Sequence, residues 1–190
     1  MKKSKVETVE TRRRIIDVAA REFRLNGIHA TGLNDLMSKA GLTRGGFYRH
    51  FESKDQLIAE ACAEGVTRIV ASLENAAGEK EGKDGFRAIA DHYVSTFHRD
   101  TSTGGCPFAA MGSELARADE STRAVASEGF DELIEVLAKR LDDPQSEAAR
   151  AEAAFALAAM IGAVTMSRII VDRDASMRIL QLVKEHLNTL

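Results

Sequence analysis

Apolar residues recur every three to four positions along most of the chain, which is the period of an amphipathic α-helix. In the first such stretch Ile15, Ala19 and Phe23 share one stripe. The dipeptide "NG" at 26–27 supplies a stop signal, so a helix is predicted over Glu10–Leu25. Alternating β-type patterns are scarce, and the chain has only 2 prolines. The pattern therefore predicts an all-α fold.

Caps and periodicity place the remaining helices. The stretch "SKDQ" pairs Ser53 with Gln56 as a capping box, which marks the start of a long helix. The segment Ala76–Gly85 is rich in glycine and charge, so it is predicted to link a basic N-terminal part to an acidic C-terminal part. The further helices are predicted at about Leu33–Ala40, Thr43–Phe51, Ser53–Asn75, Phe86–His98, Pro107–Ala116, Ser121–Leu141, Ser146–Val171 and Ser176–Leu190.

Composition indicates the size of the core and the cellular compartment. The chain has 190 residues, 44% of them hydrophobic, so it can bury a sizeable core in one domain or two small ones. Two cysteines without paired spacing, and a basic start without an apolar leader, favour the cytoplasm. The longest uncharged run, Ala153–Ser167, is shorter than the roughly 20 residues of a membrane span, so a buried helix and no membrane partner are expected.

Charge is distributed unevenly. Residues 1–60 hold 12 Lys and Arg against 8 Asp and Glu, a balance of +4, whereas residues 61–190 hold 14 against 21, a balance of −7. A basic N-terminal part on an acidic body indicates that the N-terminal part meets a polyanion.

The segment "TGLNDLMSKAGLTRGGFYRHF" has a helix, a glycine, a threonine and a second helix within about twenty residues. This is the layout of a helix-turn-helix, whose second helix enters the major groove of DNA. Gly45 and Gly46 lower helix propensity there, but they leave a bare backbone that can approach bases or phosphates closely. Alternatively, "RGG" is loop and the helix begins at Phe47. The apolar residues expected to pack together are Leu33, Leu36, Met37, Leu42, Phe47 and Phe51.

The residues that these motifs contain resemble a known family. The stretch "IIDVAAREFRLNGIHATGLNDLMSKAGLTRGGFYRHFESKDQLIAEA" is similar to the N-terminal domain of TetR-type transcriptional regulators across nearly all of residues 12–61. Gly46 departs from the family, which more often has Ala, Ser or Thr there. By that resemblance Thr31, Thr43, Tyr48, His50 and Lys54 bind phosphates, while Arg44 and Gly45 face bases. The whole predicted DNA-binding set is Thr31, Thr43, Arg44, Gly45, Gly46, Tyr48, Arg49, His50 and Lys54.

The resemblance also implies two domains and a homodimer on a palindromic operator. Residues 1–55 are the expected DNA-binding domain, with the helix-turn-helix at about 31–51, and residues 56–190 are the ligand-binding and dimerisation domain. The last two helices are expected to pair with those of a second subunit, although the same residues also fit the core of one subunit. The predicted interface comprises Ala154, Leu157, Ala158, Ile161, Gly162, Thr165, Met177, Leu180, Val183 and Leu187.

A pocket for a small-molecule or electrophilic inducer is expected in the C-terminal domain. With 5% aromatic residues and no tryptophan, the sequence favours a small ligand over a large planar one. The five histidines and two cysteines lack the close spacing of a zinc site, so no metal or other cofactor is expected. The candidate lining residues, each of which also fits a plain core, are His92, Tyr93, Phe97, Phe108, Met111, Phe155 and Met160.

The stretch "TSTGGCPFAAM" places Cys106 before a proline, which favours Cys106 as the N-cap of a short helix. A thiolate there gains from the helix dipole, so a lowered pKa is expected, with Gly104 and Gly105 leaving the approach open. Cys106 is then either a reactive sensor or a packed cap beside a non-covalent ligand. Cys62, inside a helix, is expected to be a small buried residue.

Two functions follow from these observations. The first is a one-component transcriptional repressor, released from its operator by an inducer or by modification of Cys106. The second is an enzyme that uses Cys106 as nucleophile with His92 or His98 as base. The repressor is preferred because neither histidine has an evident orienting partner in the sequence.

Overall fold

The computed structural model describes residues 5–101 and 105–190, and all regular structure within them is helical. The predicted all-α class is confirmed. The α-helices are α1 (Lys5–Asn26), α2 (Leu33–Lys39), α3 (Lys54–Ala77), α4 (Gly82–Tyr93), α5 (Thr96–Asp100), α6 (Pro107–Leu115), α7 (Glu120–Ala138), α8 (Glu147–Ile169) and α9 (Arg173–Leu187), and a 3-10 helix covers Arg44–Arg49.

The helix starts follow the caps in the sequence. The Ser53 hydroxyl accepts a hydrogen bond from the Gln56 N–H at 3.0 Å, and the Gln56 side chain accepts one from the Glu52 N–H at 2.8 Å. The Ser146 hydroxyl caps α8 in the same way, 3.0 Å from the Ala149 nitrogen. These bonds satisfy N–H groups that have no partner inside the helix, which fixes where each helix begins.

A first hydrophobic core joins α1, α2, the 3-10 helix and the start of α3. Phe23, Met37 and Phe47 are completely buried in it, as the sequence pattern predicted for the helix-turn-helix. Leu57 and Cys62 extend the same core from the first half of α3. Two residues of α6, Met111 and Leu115, close it from the C-terminal side.

A second core contains the other half of α3. Val66, Ile69 and Leu73 pack there with residues of α4, α7, α8 and α9. The crossing of α3 and α7 is tight, since a Cβ atom at Gly129 would lie 2.7 Å from a methyl carbon of Val66. The continuous 24-residue helix α3 therefore contributes its first half to one core and its second half to the other. No flexible link separates these two parts of the described chain.

The segment predicted as a linker is a tight turn. α3 continues to Ala77, α4 begins at Gly82, and Gly78 and Gly82 reverse the chain with φ of 55° and 52°. The prediction of a linker was wrong, because the glycines and charged residues of this segment form the turn between α3 and α4. A second difference is the helix predicted over Phe86–His98, which breaks at Val94–Ser95, where the Ser95 hydroxyl caps α5 by accepting from the His98 N–H.

Replacing Gly129 with alanine tests the tight crossing. The added methyl would overlap Val66, so Gly129→Ala should destabilise the chain by about 1 to 3 kcal/mol. Gly112→Ala in α6 is the matched control, because its Cβ meets nothing within 4 Å. In the control, the free energy of unfolding should rise by up to about 1 kcal/mol, because alanine has a higher helix propensity than glycine. Urea unfolding monitored by circular dichroism measures both; equal effects would contradict the tight crossing.

Candidate functional site

The 3-10 helix Arg44–Arg49 presents a polar face to solvent. Arg44, Tyr48 and Arg49 are exposed, Tyr48 by 64% of its surface, while Phe47 on the opposite side is fully buried. Thr43 precedes this helix and is exposed, and its side chain makes no capping bond. The predicted helix over Thr43–Phe51 is therefore shorter and more tightly wound than expected. Of the remaining predicted DNA-binding residues, Gly45 is exposed, and Gly46 and His50 are partly buried.

The two glycines of this face are not required by the fold. A Cβ atom at Gly45 would meet nothing within 4 Å, and one at Gly46 would only touch the Met37 side chain at 3.8 Å. Neither residue has a positive φ. The bare backbone at Gly45 therefore has no use inside the monomer, which fits a close approach from outside.

Aromatic and charged contacts fix the orientation of the 3-10 helix. The Phe47 ring stacks on Phe51 with centroids 5.4 Å apart, and Tyr48 meets Phe47 edge to face at 5.2 Å. Arg12 of α1 lies over the Phe51 ring at 4.7 Å and forms an ion pair with Glu60 of α3. Its Nε also donates to the His50 carbonyl at 3.3 Å. These contacts join the exposed face to α1 and α3.

Two predicted phosphate-binding residues make structural hydrogen bonds within the chain. Thr31 is buried, its hydroxyl donates to the Gly27 carbonyl at 2.6 Å, and the N-cap of α2 is Gly32. The Lys54 ammonium donates to the Ile28 carbonyl at 2.8 Å, and burial lowers its pKa. Both side chains hold the loop after α1, and the buried Thr31 hydroxyl does not face solvent.

Glu114 of α6 holds the same loop from the C-terminal side. Its two carboxylate oxygens accept from the Ile28 and His29 N–H groups, each at 3.0 Å. Gly27, with φ of 85°, makes room for this, since a Cβ there would lie 3.1 Å from the carboxylate. We call this arrangement the Glu114 clamp. Sequence reasoning missed it because 85 residues separate the partners and only Gly27 hints at a close approach.

A cavity of about 260 Å³ lies where the end of α1 meets α3, α4 and α5. Four basic side chains line it: Arg24, Arg68, His92 and His98. The hydroxyl groups of Ser72 and Thr101, the apolar Ile69 and Phe97, and Gly105 complete the wall. The Ser72 hydroxyl and His92 Nε2 are 2.8 Å apart.

Two of the seven predicted pocket residues, His92 and Phe97, line this cavity. Tyr93, Met111 and Met160 are buried core residues and do not line this cavity. Phe108 is partly buried against Phe130, with ring centroids 5.8 Å apart. Phe155 is 56% exposed on α8 and does not line this cavity. Helical periodicity shows which of these apolar residues share a helix face, but it does not show whether that face packs in the core, lines a cavity or is exposed.

Cys106 is the N-cap of α6, with Pro107 at the first helical position, as predicted. Its thiol is buried, with 1% of the residue exposed. Burial raises the pKa of this thiol, although the Tyr93 side chain and the Phe108 and Ala109 backbone groups act in the opposite direction. The expected lowered pKa was therefore wrong, because desolvation outweighs the helix terminus. Cys62 is also buried, and Gly104 lies outside the described residues.

His98 connects Cys106 to α4 through both ring nitrogens. Nδ1 donates to the Tyr93 carbonyl at 2.8 Å, and Nε2 accepts from the Cys106 N–H at 3.0 Å, which fixes the neutral tautomer. A Cβ at Gly105 would lie 2.5 Å from Nε2, and its φ of 91° also favours glycine. With His98 bonded to backbone and His92 bonded to Ser72, neither histidine is arranged to deprotonate the Cys106 thiol.

The outer face of α8 carries an apolar stripe. The predicted interface residues Leu157, Leu180 and Leu187 are buried in the core of the single chain. Val183 is partly buried, and Met177 is 39% exposed. The stripe comprises Ala151, Phe155, Ala158, Gly162, Met166 and Ile169, while Ala154, Ile161 and Thr165 are partly buried beside it. Ala158 and Gly162 are the predicted residues that fall on it.

The hydropathy of α8 has an explanation in this packing. By length and composition α8 could cross a membrane. One face of it, with Ala153, Leu157 and Met160, is buried in the second core, and the other is the apolar stripe. Among the described residues, no group of three or more His, Cys, Asp or Glu side chains is arranged to hold a metal ion.

Comparison with known proteins places the chain in a family. Residues 15–61 match the model of bacterial regulatory proteins of the tetR family, and residues 83–186 match the C-terminal domain of LmrA/YxaF-like transcriptional regulators. The second match alone covers more than half of the chain. The chain belongs to the TetR family of bacterial transcriptional regulators.

Individual relatives of this TetR-family chain differ in extent. The HTH-type transcriptional regulator YxaF of Bacillus subtilis is 32% identical over 136 residues, which is 70% of each chain. The HTH-type transcriptional regulator AcrR of Shigella flexneri is 44% identical over 59 residues, so the match spans 31% of this chain and 27% of that relative. The crystal structure of a TetR regulator from Chloroflexus aurantiacus is 31% identical, with a TM-score of 0.74 over 97% of this chain and 95% of that one.

The lowered pKa of His98 leads to a specific pH dependence of stability in this TetR-family chain. Burial lowers the pKa of His98 from 6.5 to about 4, so the unfolded chain binds a proton at pH values where the folded chain does not. The stabilisation is complete above about pH 6.5 and declines as the pH falls towards 4, with about 2 kcal/mol lost between pH 7.5 and 5.

His98→Gln should lower the stability at pH 7.5 and remove that part of the pH dependence. Urea unfolding at both pH values measures it, and His29→Gln, at an exposed histidine, controls for the loss of one imidazole. If the free energy of unfolding of His98→Gln still fell between pH 7.5 and 5 as much as that of the native chain, the role of His98 would be contradicted.

Proposed function

We propose that this chain is a one-component transcriptional repressor that binds a palindromic operator as a homodimer and leaves it when a small molecule occupies the cavity. The observation that carries the proposal is the exposed face of the 3-10 helix, where Arg44 and Tyr48 flank a glycine backbone that the fold does not need. Its support is the family membership of both halves of the chain.

The chemistry of this face suits the major groove. The Arg44 guanidinium can donate two hydrogen bonds to guanine O6 and N7. The Thr43 and Tyr48 hydroxyls and the Arg49 cation suit phosphate oxygens, which fix the position of the protein on the duplex. The N-terminal balance of +4 adds a non-specific attraction to the backbone. Thr31 and Lys54 contribute indirectly, by holding the loop that precedes α2.

The apolar stripe on α8 is the proposed dimer interface. Ala158 and Gly162 let a second helix approach closely, and Phe155 and Met166 supply apolar area on either side. On α9, Leu182 is 60% exposed and would add an apolar side chain to this interface. A two-fold pair built on these helices would present two recognition faces, which a palindromic operator requires at a separation of about 34 to 36 Å.

The route from the cavity to the DNA-binding face is short. Arg24 belongs to the last turn of α1, whereas Arg68, His92 and His98 belong to α3, α4 and α5. The loop after α1 is held by the Glu114 clamp and leads directly into α2. A ligand that moves Arg24 relative to α3 therefore acts on the helix-turn-helix. To release the operator, its preference for the non-binding state must reach several kcal/mol.

The buried Cys106 favours non-covalent induction. A reactive sensor needs an exposed thiol of low pKa, whereas this thiol is inside the second core with a raised pKa. Modification of Cys106 as the trigger requires α6 to open at its N-terminus first. The cavity offers a route that needs no such opening.

Arg44→Ala tests the operator contact. The change should weaken operator binding by about 1 to 3 kcal/mol and relax the preference at one base pair. Arg123→Ala removes the same charge from an exposed position on α7 and should leave binding unchanged. Fluorescence anisotropy on a library of operator variants is the measurement. An intact preference at every base pair would exclude Arg44 from base recognition.

Phe155→Glu tests the dimer interface. A buried glutamate in the middle of the stripe should weaken the dimer about 30-fold or more, the effect of losing one interface hot spot. Val9→Glu places the same change at an exposed apolar residue of α1 and serves as the control. Sedimentation equilibrium gives the dissociation constants. A Phe155→Glu dimer as tight as the native one would place the interface elsewhere.

A further inference from the structure

We propose that Arg12, held by Glu60, is a positioning residue for operator recognition: it sets the orientation of the 3-10 helix without contacting DNA itself. The inference rests on the proposed function, since it concerns the face with which the 3-10 helix meets the operator. Arg12 precedes residues 15–61, the part of the chain that matches the tetR family model, so that match gives it no role. Four observations carry the inference: the contacts of Arg12, their route to the exposed face, the compensation of its charge, and the exposure of the adjacent arginines.

The Arg12 side chain joins three parts of the N-terminal core. It belongs to α1, its two terminal nitrogens pair with the two carboxylate oxygens of Glu60 on α3, and its Nε donates to the His50 carbonyl at 3.3 Å. Its guanidinium carbon also lies 4.7 Å from the centre of the Phe51 ring. A two-bond pair of this kind is directional, since it restricts the plane of the guanidinium group. Glu60 therefore fixes the plane in which Arg12 meets the end of the 3-10 helix.

The partners of Arg12 lead directly to the exposed face. His50 follows the 3-10 helix, and its N–H donates to the Phe47 carbonyl at 2.8 Å. The Phe51 N–H donates to the same carbonyl at 3.1 Å, and the Phe51 ring stacks on the Phe47 ring. Tyr48, on the exposed face, meets the Phe47 ring edge to face. Because packed side chains transmit displacements, a shift of the two Arg12 partners reaches Tyr48 through Phe47.

The charge of Arg12 is already compensated within the chain. The Glu60 carboxylate faces the guanidinium directly, and the two side chains are only 34% and 28% exposed. A cation paired in this way adds little to the attraction between the chain and the phosphate backbone, because that attraction comes from positive charge that phosphates can neutralise. Arg12 therefore acts on the operator through the residues that it holds, and not as a phosphate ligand.

The two adjacent arginines distinguish shape from charge at position 12. Arg13 and Arg14 are exposed on α1, whereas Arg12 is partly buried. The exposed pair already supplies positive charge to the N-terminal part of the chain. Arg12 differs from them in using its planar fork and its Nε for two partners at once. A lysine at this position would keep the charge but lose the planar set of donors that bridges Glu60 and the His50 carbonyl.

Variants of the pair separate positioning from charge. The DNA is a duplex that the native chain selects from a random-sequence library, and fluorescence anisotropy gives the dissociation constants. Arg12→Lys keeps the charge, yet it should weaken binding roughly tenfold, the scale of one charge-assisted hydrogen bond. Glu60→Gln should weaken binding by a similar factor, although the loss of a negative charge by itself favours DNA. The double variant Arg12→Gln with Glu60→Gln should bind no more weakly than Arg12→Gln alone, because the two residues act as one unit.

Exposed residues of α1 provide the matched controls. Arg13→Lys and Glu10→Gln make the same chemical changes and should not weaken binding. The slope of log K against log salt concentration should be the same for Arg12→Gln and the native chain, whereas the loss of one phosphate contact would reduce it by about 0.9. Native affinity in Arg12→Lys or in Glu60→Gln, or a slope reduced by that amount, would overturn the proposal. If Arg12→Gln does not fold, the two single variants Arg12→Lys and Glu60→Gln still decide.

Hydrogen exchange measures the same role without DNA. In Arg12→Lys and Glu60→Gln the backbone amides of residues 44–51 should exchange faster than in the native chain, because the end of the 3-10 helix opens more often. Peptides from α7 and α8 should exchange at the native rate. Native exchange over residues 44–51 would overturn the proposal, and so would an equal acceleration in every peptide, which indicates a loss of overall stability and not a local positioning role.

The exchange measurement also keeps this inference apart from the repressor proposal. Failure of the native chain to select or bind any duplex contradicts the repressor function, but the exchange rates still show whether Arg12 positions the 3-10 helix. Operator binding by the native chain, together with native affinity in Arg12→Lys and Glu60→Gln, contradicts only the role of Arg12.

Discussion

The burial of one face of α3, from Leu57 to Ala77, is the constraint on which the rest of the structure depends. Its first half, with Leu57 and Cys62, completes the N-terminal core, and its second half, with Val66 and Leu73, is central to the C-terminal core. Displacing one end of such a helix displaces the other, since a helix is stiff over 24 residues. The helix-turn-helix and the cavity between α1, α3, α4 and α5 are therefore attached to the same helix.

Polar contacts then set how the two parts meet around α3. The Glu114 clamp fixes the loop after α1, and Thr31 and Lys54 hold the same loop through backbone carbonyls. Arg24 extends from the end of α1 into the cavity. The junction thus consists of directional hydrogen bonds and charges around a small space.

The sequence predicted the helices and the exposed polar face of the 3-10 helix, because both depend on local signals. The caps at Ser53 and Ser146 and the stop at Gly27 depend on neighbouring residues. The errors concern burial and long-range partners. The glycines of Ala76–Gly85 suit a linker and a tight turn equally. α8 is apolar on more than one face, so periodicity could not tell the core from the stripe. The pKa of Cys106 depended on burial, which spacing does not reveal.

The two cysteines have one further consequence. Cys62 lies in the N-terminal core and Cys106 in the C-terminal core, and both are sealed from solvent in the folded chain. A thiol reagent can reach each one only while its own core is transiently open. The labelling rate of each cysteine therefore times the opening of one half of the molecule. Each core therefore contains its own natural probe of opening. Different labelling rates for Cys62 and Cys106 indicate local opening of one core, whereas equal rates indicate unfolding of the whole chain.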